Sequence, residues 1–180
     1  MSKEEIIDIV DENDKVIGQL PKRVVHSKKG ILHREIGVVV VDNNNRVLLQ
    51  QRSFKKKLFP GEWTVSAVGH VPAGLTPEEA AHKELSEELG IDTQLTFIEK
   101  RKYISGDHIS FGYLFKGTVN EDVKIIINKQ EVEQAKFVSK KEILKMEDEG
   151  LIDYHTRETL SKFYLYEYHQ RNAGGIYPAG

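Results

Sequence analysis

The chain has 180 residues, 39% hydrophobic and 30% charged, enough to bury one ordinary core and too apolar for a disordered chain. Lys plus Arg number 26 and Asp plus Glu 28, so a net charge of −2 gives no general pull toward nucleic acid or an anionic membrane, and neither is expected as a partner. Cysteine is absent, which excludes disulfides, zinc thiolate sites and thiol nucleophiles. No apolar run approaches the roughly 20 residues that span a bilayer, and the opening Met-Ser-Lys-Glu-Glu lacks the apolar centre of a signal peptide, so a cytoplasmic protein is expected.

Two β-rich runs, 6–10 and 16–18, flank the polar cluster 11–15 and predict an N-terminal hairpin within residues 4–20. A short helix is expected over 22–27. Residues 36–41 form a continuous β-branched run, hence a buried strand, with Asn43-Asn44-Asn45 as a turn and 47–51 returning as its partner. A basic stretch, 52–57, ends at Phe59-Pro60-Gly61, and 63–68 resumes an extended pattern. The best-punctuated element is a helix that Thr76 caps, with Pro77 at its first position, Glu79 completing a capping box, and Gly90 as its stop. Residues 95–103, 108–118 and 134–138 read as strands, and 140–149 and 156–168 as helices. One mixed α/β domain over 1–172 is expected, with a frayed tail over 173–180. The aromatic stripe Phe163, Tyr164, Tyr166, Tyr168 is expected to pack on its own domain, and Trp63 in the core.

Glu84, Glu87 and Glu88 fall at i, i+3 and i+4, on one face of the capped helix and in its last turn. Like charges there repel one another, and the helix dipole disfavours them as well. A divalent cation reverses both penalties, and an all-oxygen donor set points to magnesium, with manganese as the substitute. The loop from Gly69 to Leu75 lets the backbone turn closely around a ligand. Arg52 and Lys56 offer a positive rim that would attract an anionic ligand.

Residues 69–91, with Lys83-Glu84-Leu85-Ser86-Glu87-Glu88-Leu89-Gly90-Ile91 at their centre, resemble the Nudix box. The resemblance implies an α/β/α sandwich with a mixed sheet, a small-molecule diphosphate substrate, and a magnesium ion on Glu84, Glu87 and Glu88. It leaves Glu88 and Glu131 as alternatives for the general base and places Arg52, Lys56, Gly69 and Lys83 against substrate. Two positions depart from the pattern: Leu75 stands where the family has glutamate, and Lys83 where it has arginine.

Gln50-Gln51-Arg52-Ser53, then Phe59-Pro60-Gly61-Glu62-Trp63-Thr64, then Gly69-His70, are similar to the isopentenyl-diphosphate isomerase branch of that superfamily, as are His26 and His33. In that branch three such histidines join two glutamates around a metal, and a cysteine before the Gly-His pair helps to move the proton. Here Val68 occupies the cysteine position, and the strand that should carry the glutamates has His108 and Ser110. His26, His33 and His70 are thus a second candidate metal set lacking its carboxylates. The expected activity is magnesium-dependent hydrolysis of a diphosphate linkage in a nucleoside diphosphate derivative or similar metabolite. The alternatives are an isomerase, which the missing thiol argues against, and a non-hydrolytic binding module.

Overall fold

The computed structural model describes residues 4–152 and 154–173. Its centre is the β-branched run, which extends backward to make β3 (His33–Asp42). One edge of β3 pairs along its whole length, in parallel, with β8 (His108–Val119), from His33 opposite Ser110 to Asp42 opposite Val119. The other edge is shared. β1 (Ile6–Val10) meets it at His33, β6 (Ala67–His70) pairs from Glu35 to Val38, and β4 (Val47–Arg52) touches only at Val41.

The N-terminal hairpin forms as expected, β1 pairing with β2 (Val16–Pro21), and α1 (Lys22–Ser27) follows. The expected pairing of 36–41 with 47–51 is corrected: β4 diverges from β3 after one residue pair and runs instead beside β9 (Val132–Val138) and β5 (Trp63–Thr64). The single extended segment expected over 63–68 breaks in the same place, into β5 and β6. Ser66, fully buried at the break, explains both departures. Its Oγ accepts from the Val40 amide at 2.8 Å and donates to the Leu48 carbonyl at 2.6 Å, so it fills the gap between the parting strands and satisfies a backbone group on each. β7 (Leu95–Ser105) forms an antiparallel hairpin with β8.

Alternation along β3 assigns its two faces. Ile36, Val38 and Val40 pack with Ala80, Ala81, Leu85 and Leu89 of α2 (Pro77–Leu89). Val39 and Val41 pack with Ile143 and Met146 of α3 (Lys140–Asp148) and Leu160 and Phe163 of α4 (Tyr154–Ala173). A mixed sheet between helices is the α/β/α sandwich expected. In α2 both capping-box bonds are present, Glu79 N–H to Thr76 Oγ1 at 3.2 Å and Thr76 N–H to the Glu79 carboxylate at 2.8 Å, and Gly90 is left-handed at φ 65°. Trp63 is buried, as are Phe163 and, in part, Tyr164. The side chains of Tyr166 and Tyr168, and the tail beyond Ala173, lie outside the described residues. No helix among the described residues is long and apolar enough to cross a membrane.

Candidate functional site

A single cleft of about 1820 Å³ is lined by the three helix glutamates, the basic rim and the histidines. They approach it from opposite faces of the strand layer. Gly69 pairs with Ile36 and so turns toward α2, whereas Val68 and His70 share the other face with Glu35 and Gly37.

On the α2 side, Glu88 is 8% exposed and accepts a hydrogen bond from Gln50 Nε2 at 2.7 Å. Burial, with the nearby charges of Glu84 and Glu131, pushes its carboxyl up to about 7. Burial also raises Glu84. A Cβ on Gly69 would stand 2.7 Å from the Glu84 Cδ, so glycine there is what lets Glu84 lie against β6. Glu87 is more exposed and binds Lys83 Nζ at 2.7 Å, with Glu84 3.7 Å from the same ammonium. A buried and a half-buried carboxylate that resist ionisation, beside a third, suit a hard divalent cation, which would stabilise their charged forms. Leu75, at the family's glutamate position, packs against the α2-side core.

The rim residues are partly committed to one another. Lys56 is ion-paired with Glu131, joining a candidate substrate ligand to a candidate base. Arg52 donates to the Leu58 carbonyl at 3.0 and 3.2 Å and so shapes the 53–62 loop.

On the other face the carboxylate missing from β8 comes from β3. Glu35, two residues after His33 and opposite His70, lies among three imidazoles. Its Oε1 is 3.8 Å from His33 Nε2 and 3.5 Å from His70 Nε2. Its Oε2 accepts from Ser110 Oγ at 2.7 Å and lies 3.1 Å from His108 Nε2. Burial alone would raise the Glu35 carboxyl, but the hydrogen bond from His108 and the surrounding imidazoles hold it well below the ordinary range. That same bond raises His108, while burial drives His70 down to about 3. His26 stands edge-on to the His70 ring, centroids 4.9 Å apart, with its side chain at the surface. Among the described residues, one set of three potential ligands has its donor atoms within 4.8 Å of one another, and it is His33, Glu35 and His108 rather than the helix glutamates. Glu35 escapes a sequence search that looks for carboxylates on β8. The available signal is the His-x-Glu alternation at 33–35, which puts both side chains on one strand face.

The NUDIX domain model matches residues 31–158. The chain belongs to the Nudix family. Within it this Nudix protein lies in the isopentenyl-diphosphate isomerase-like branch. It is 36% identical over 139 residues to Isopentenyl-diphosphate Delta-isomerase 2 of Photorhabdus laumondii, covering 76% of this chain and 78% of that protein. It is 30% identical over 167 residues to Isopentenyl-diphosphate Delta-isomerase of Streptomyces coelicolor, covering 89% and 80%. A crystal structure of a Deinococcus radiodurans protein shares the fold, with a TM-score of 0.71, 23% identity, and 82% and 91% of the two chains covered. The expectation of a diphosphate hydrolase is corrected by these relatives, which carry the isomerase name across a range of organisms. That expectation rested on the missing thiol on β6 and the missing glutamates on β8; the structure places a carboxylate, Glu35, among the same imidazoles from the adjacent strand.

Proposed function

We propose that this Nudix protein is a metal-dependent, cytoplasmic isomerase that moves the double bond of isopentenyl diphosphate or a similarly small alkenyl diphosphate. The observation that carries the reading is the kinship with isomerases over three quarters or more of the chain, joined to a cleft that has cations and carboxylates on one face and a titratable cluster on the other.

In this reading Arg52, Lys56 and Lys83 draw in the diphosphate, and Gly69 makes room for the Glu84 carboxylate beside it. Glu84, Glu87 and Glu88 hold magnesium, or manganese in its place, which when bound neutralises the diphosphate oxygens. The alkene then lies toward Val68, Gly37 and Tyr103 on the cleft wall. Isomerisation adds one proton at the terminal carbon and removes another from the carbon on the far side of the double bond, with no phosphate released. With no thiol in the chain, the groups on that wall able to give or take a proton include His70, His108, Glu35 and Tyr103. Glu88, ionised once the cation is bound, is the acceptor on the α2 side.

The test is incubation with isopentenyl diphosphate and magnesium or manganese in deuterium oxide, with products followed by NMR. The expected result is the allylic isomer carrying deuterium, without phosphate release, and its loss in Glu88→Gln. An unchanged, unlabelled substrate, or released phosphate in place of isomer, would overturn the reading.

A further inference from the structure

Strand β4 faces the α2-side core, and at Gln50 it puts an amide where that core calls for an apolar side chain. Alternation places Gln50 on the same face as Leu48, which belongs to that core, and Ala135, opposite it on β9, packs there too. Gln50 is only 3% exposed. Its Nε2 donates to Glu88 Oε2 at 2.7 Å, while its Oε1 is buried with no hydrogen-bond partner. An unpaired buried amide oxygen destabilises a fold, so leucine or methionine would suit the packing better. What glutamine supplies and they lack is one donor, aimed at Glu88.

The direction of the amide is fixed by its partner. A divalent cation on Glu88 keeps the carboxylate ionised, and an ionised carboxylate only accepts, so the NH2 end must face it. The bond engages one carboxylate oxygen and leaves the other to the cleft, which Glu88 lines. The main chain is held as well, because the Asn128 amide donates to the Glu88 carbonyl at 2.9 Å in the last turn of α2. The other two glutamates of the set are served differently. Glu87 and Glu84 lie 2.7 and 3.7 Å from the Lys83 ammonium, a charged partner with which a bound cation must compete. Gln50 is neutral, so it orients Glu88 without cancelling the charge that a cation needs. We propose that Gln50 is a positioning residue for Glu88, turning one carboxylate oxygen toward a divalent cation in the cleft. The inference rests on the reading of Glu84, Glu87 and Glu88 as cation ligands, and not on which reaction follows.

The experiment is Mn2+ titration of the chelator-treated full chain without substrate, read by electron paramagnetic resonance of the free and bound ion. Glu88→Gln defines the helix site as the binding it removes. Gln50→Met keeps the length of the side chain and deletes the donor. It should weaken that site roughly 10- to 100-fold and alter the spectrum of the bound ion, with circular dichroism showing the fold retained. Gln50→Leu is the second variant and should do the same. Gln50→Lys, which sets a cation of its own against Glu88, should abolish the site. Undiminished Mn2+ affinity in any of these three variants when folded would overturn the proposal, as would wild-type Mn2+ binding that Glu88→Gln does not alter. Absence of isomer from the wild type alongside the expected Mn2+ pattern would count against the reaction and for the role of Gln50.

Discussion

Ser66→Ala tests the account of why β3 and β4 separate. The hydroxyl is fully buried and serves two backbone groups, accepting from Val40 N–H at 2.8 Å and donating to Leu48 C=O at 2.6 Å. Removing it leaves both without a partner at a place where the strands have moved too far apart to pair. An unsatisfied buried backbone group costs about 1–3 kcal/mol, so the pair should cost about 2–6 kcal/mol. That is a large share of the roughly 5–15 kcal/mol that holds an ordinary domain together. For a chain of this size each kcal/mol lowers the melting temperature by about 2–4 °C, which puts the expected fall on the order of 5–20 °C. Urea unfolding followed by circular dichroism measures it directly, and the midpoint should fall without a change in slope. A loss below about 0.5 kcal/mol would refute the claim that one hydroxyl bridges the opening.

Glu88 makes the metal-free protein sensitive to pH. Its carboxyl is raised from an ordinary value near 4.5 to about 7, so between these values the unfolded chain is ionised while the folded one retains its proton. Stability should therefore fall by about 3 kcal/mol as pH rises from 4.5 to 7 and level off above that. Glu88→Gln should remove the slope in chelator-treated protein, and a slope that persists unchanged would locate it elsewhere. Asp14 has the opposite sign. Burial pushes its carboxyl up, but hydrogen bonds from Lys100, Tyr113 and Arg34 outweigh burial and hold it below its usual value. Its contribution is present above about pH 4 and is lost as pH falls further. Asp14→Asn keeps a residue that tolerates φ 63°, and it should lower the melting temperature by several degrees at pH 7, with the gap from wild type narrowing below pH 4. A constant gap would show that the charge is not what pins the N-terminal hairpin to β3, β7 and β8.

Local signals carried much of the fold. Thr76, Pro77, Glu79 and Gly90 each act within a few residues, and α2 begins and ends where they place it. The hairpins at 6–21 and 95–119 are likewise local. What a local reading misses is competition between distant partners. Residues 36–41 and 47–51 look like a hairpin because nothing nearby says that 67–70 and 108–119 will take the edges of β3. Glu35 is hidden for the same reason. Its partners His70, His108 and Ser110 are 35 to 75 positions away, and only the pairing of β3 with β6 and β8 brings them together. The expectation of hydrolysis rested on an absent thiol, whereas what overturns it, kinship over three quarters or more of the chain, is reported by no single residue.

The parallel pairing of β3 with β8 also sets a timetable. Residue 33 must wait for residue 110, so the loop to be closed spans most of the first two thirds of the chain, and such long-range contacts form slowly. On the ribosome, α2 and the hairpin of β1 and β2 can take shape while β3 still lacks the neighbour that runs its full length. During that interval Glu35 has neither Ser110 nor His108 to hold it. The imidazole cluster is therefore among the last parts of the molecule to assemble, and its geometry is a product of completed folding rather than a guide to it.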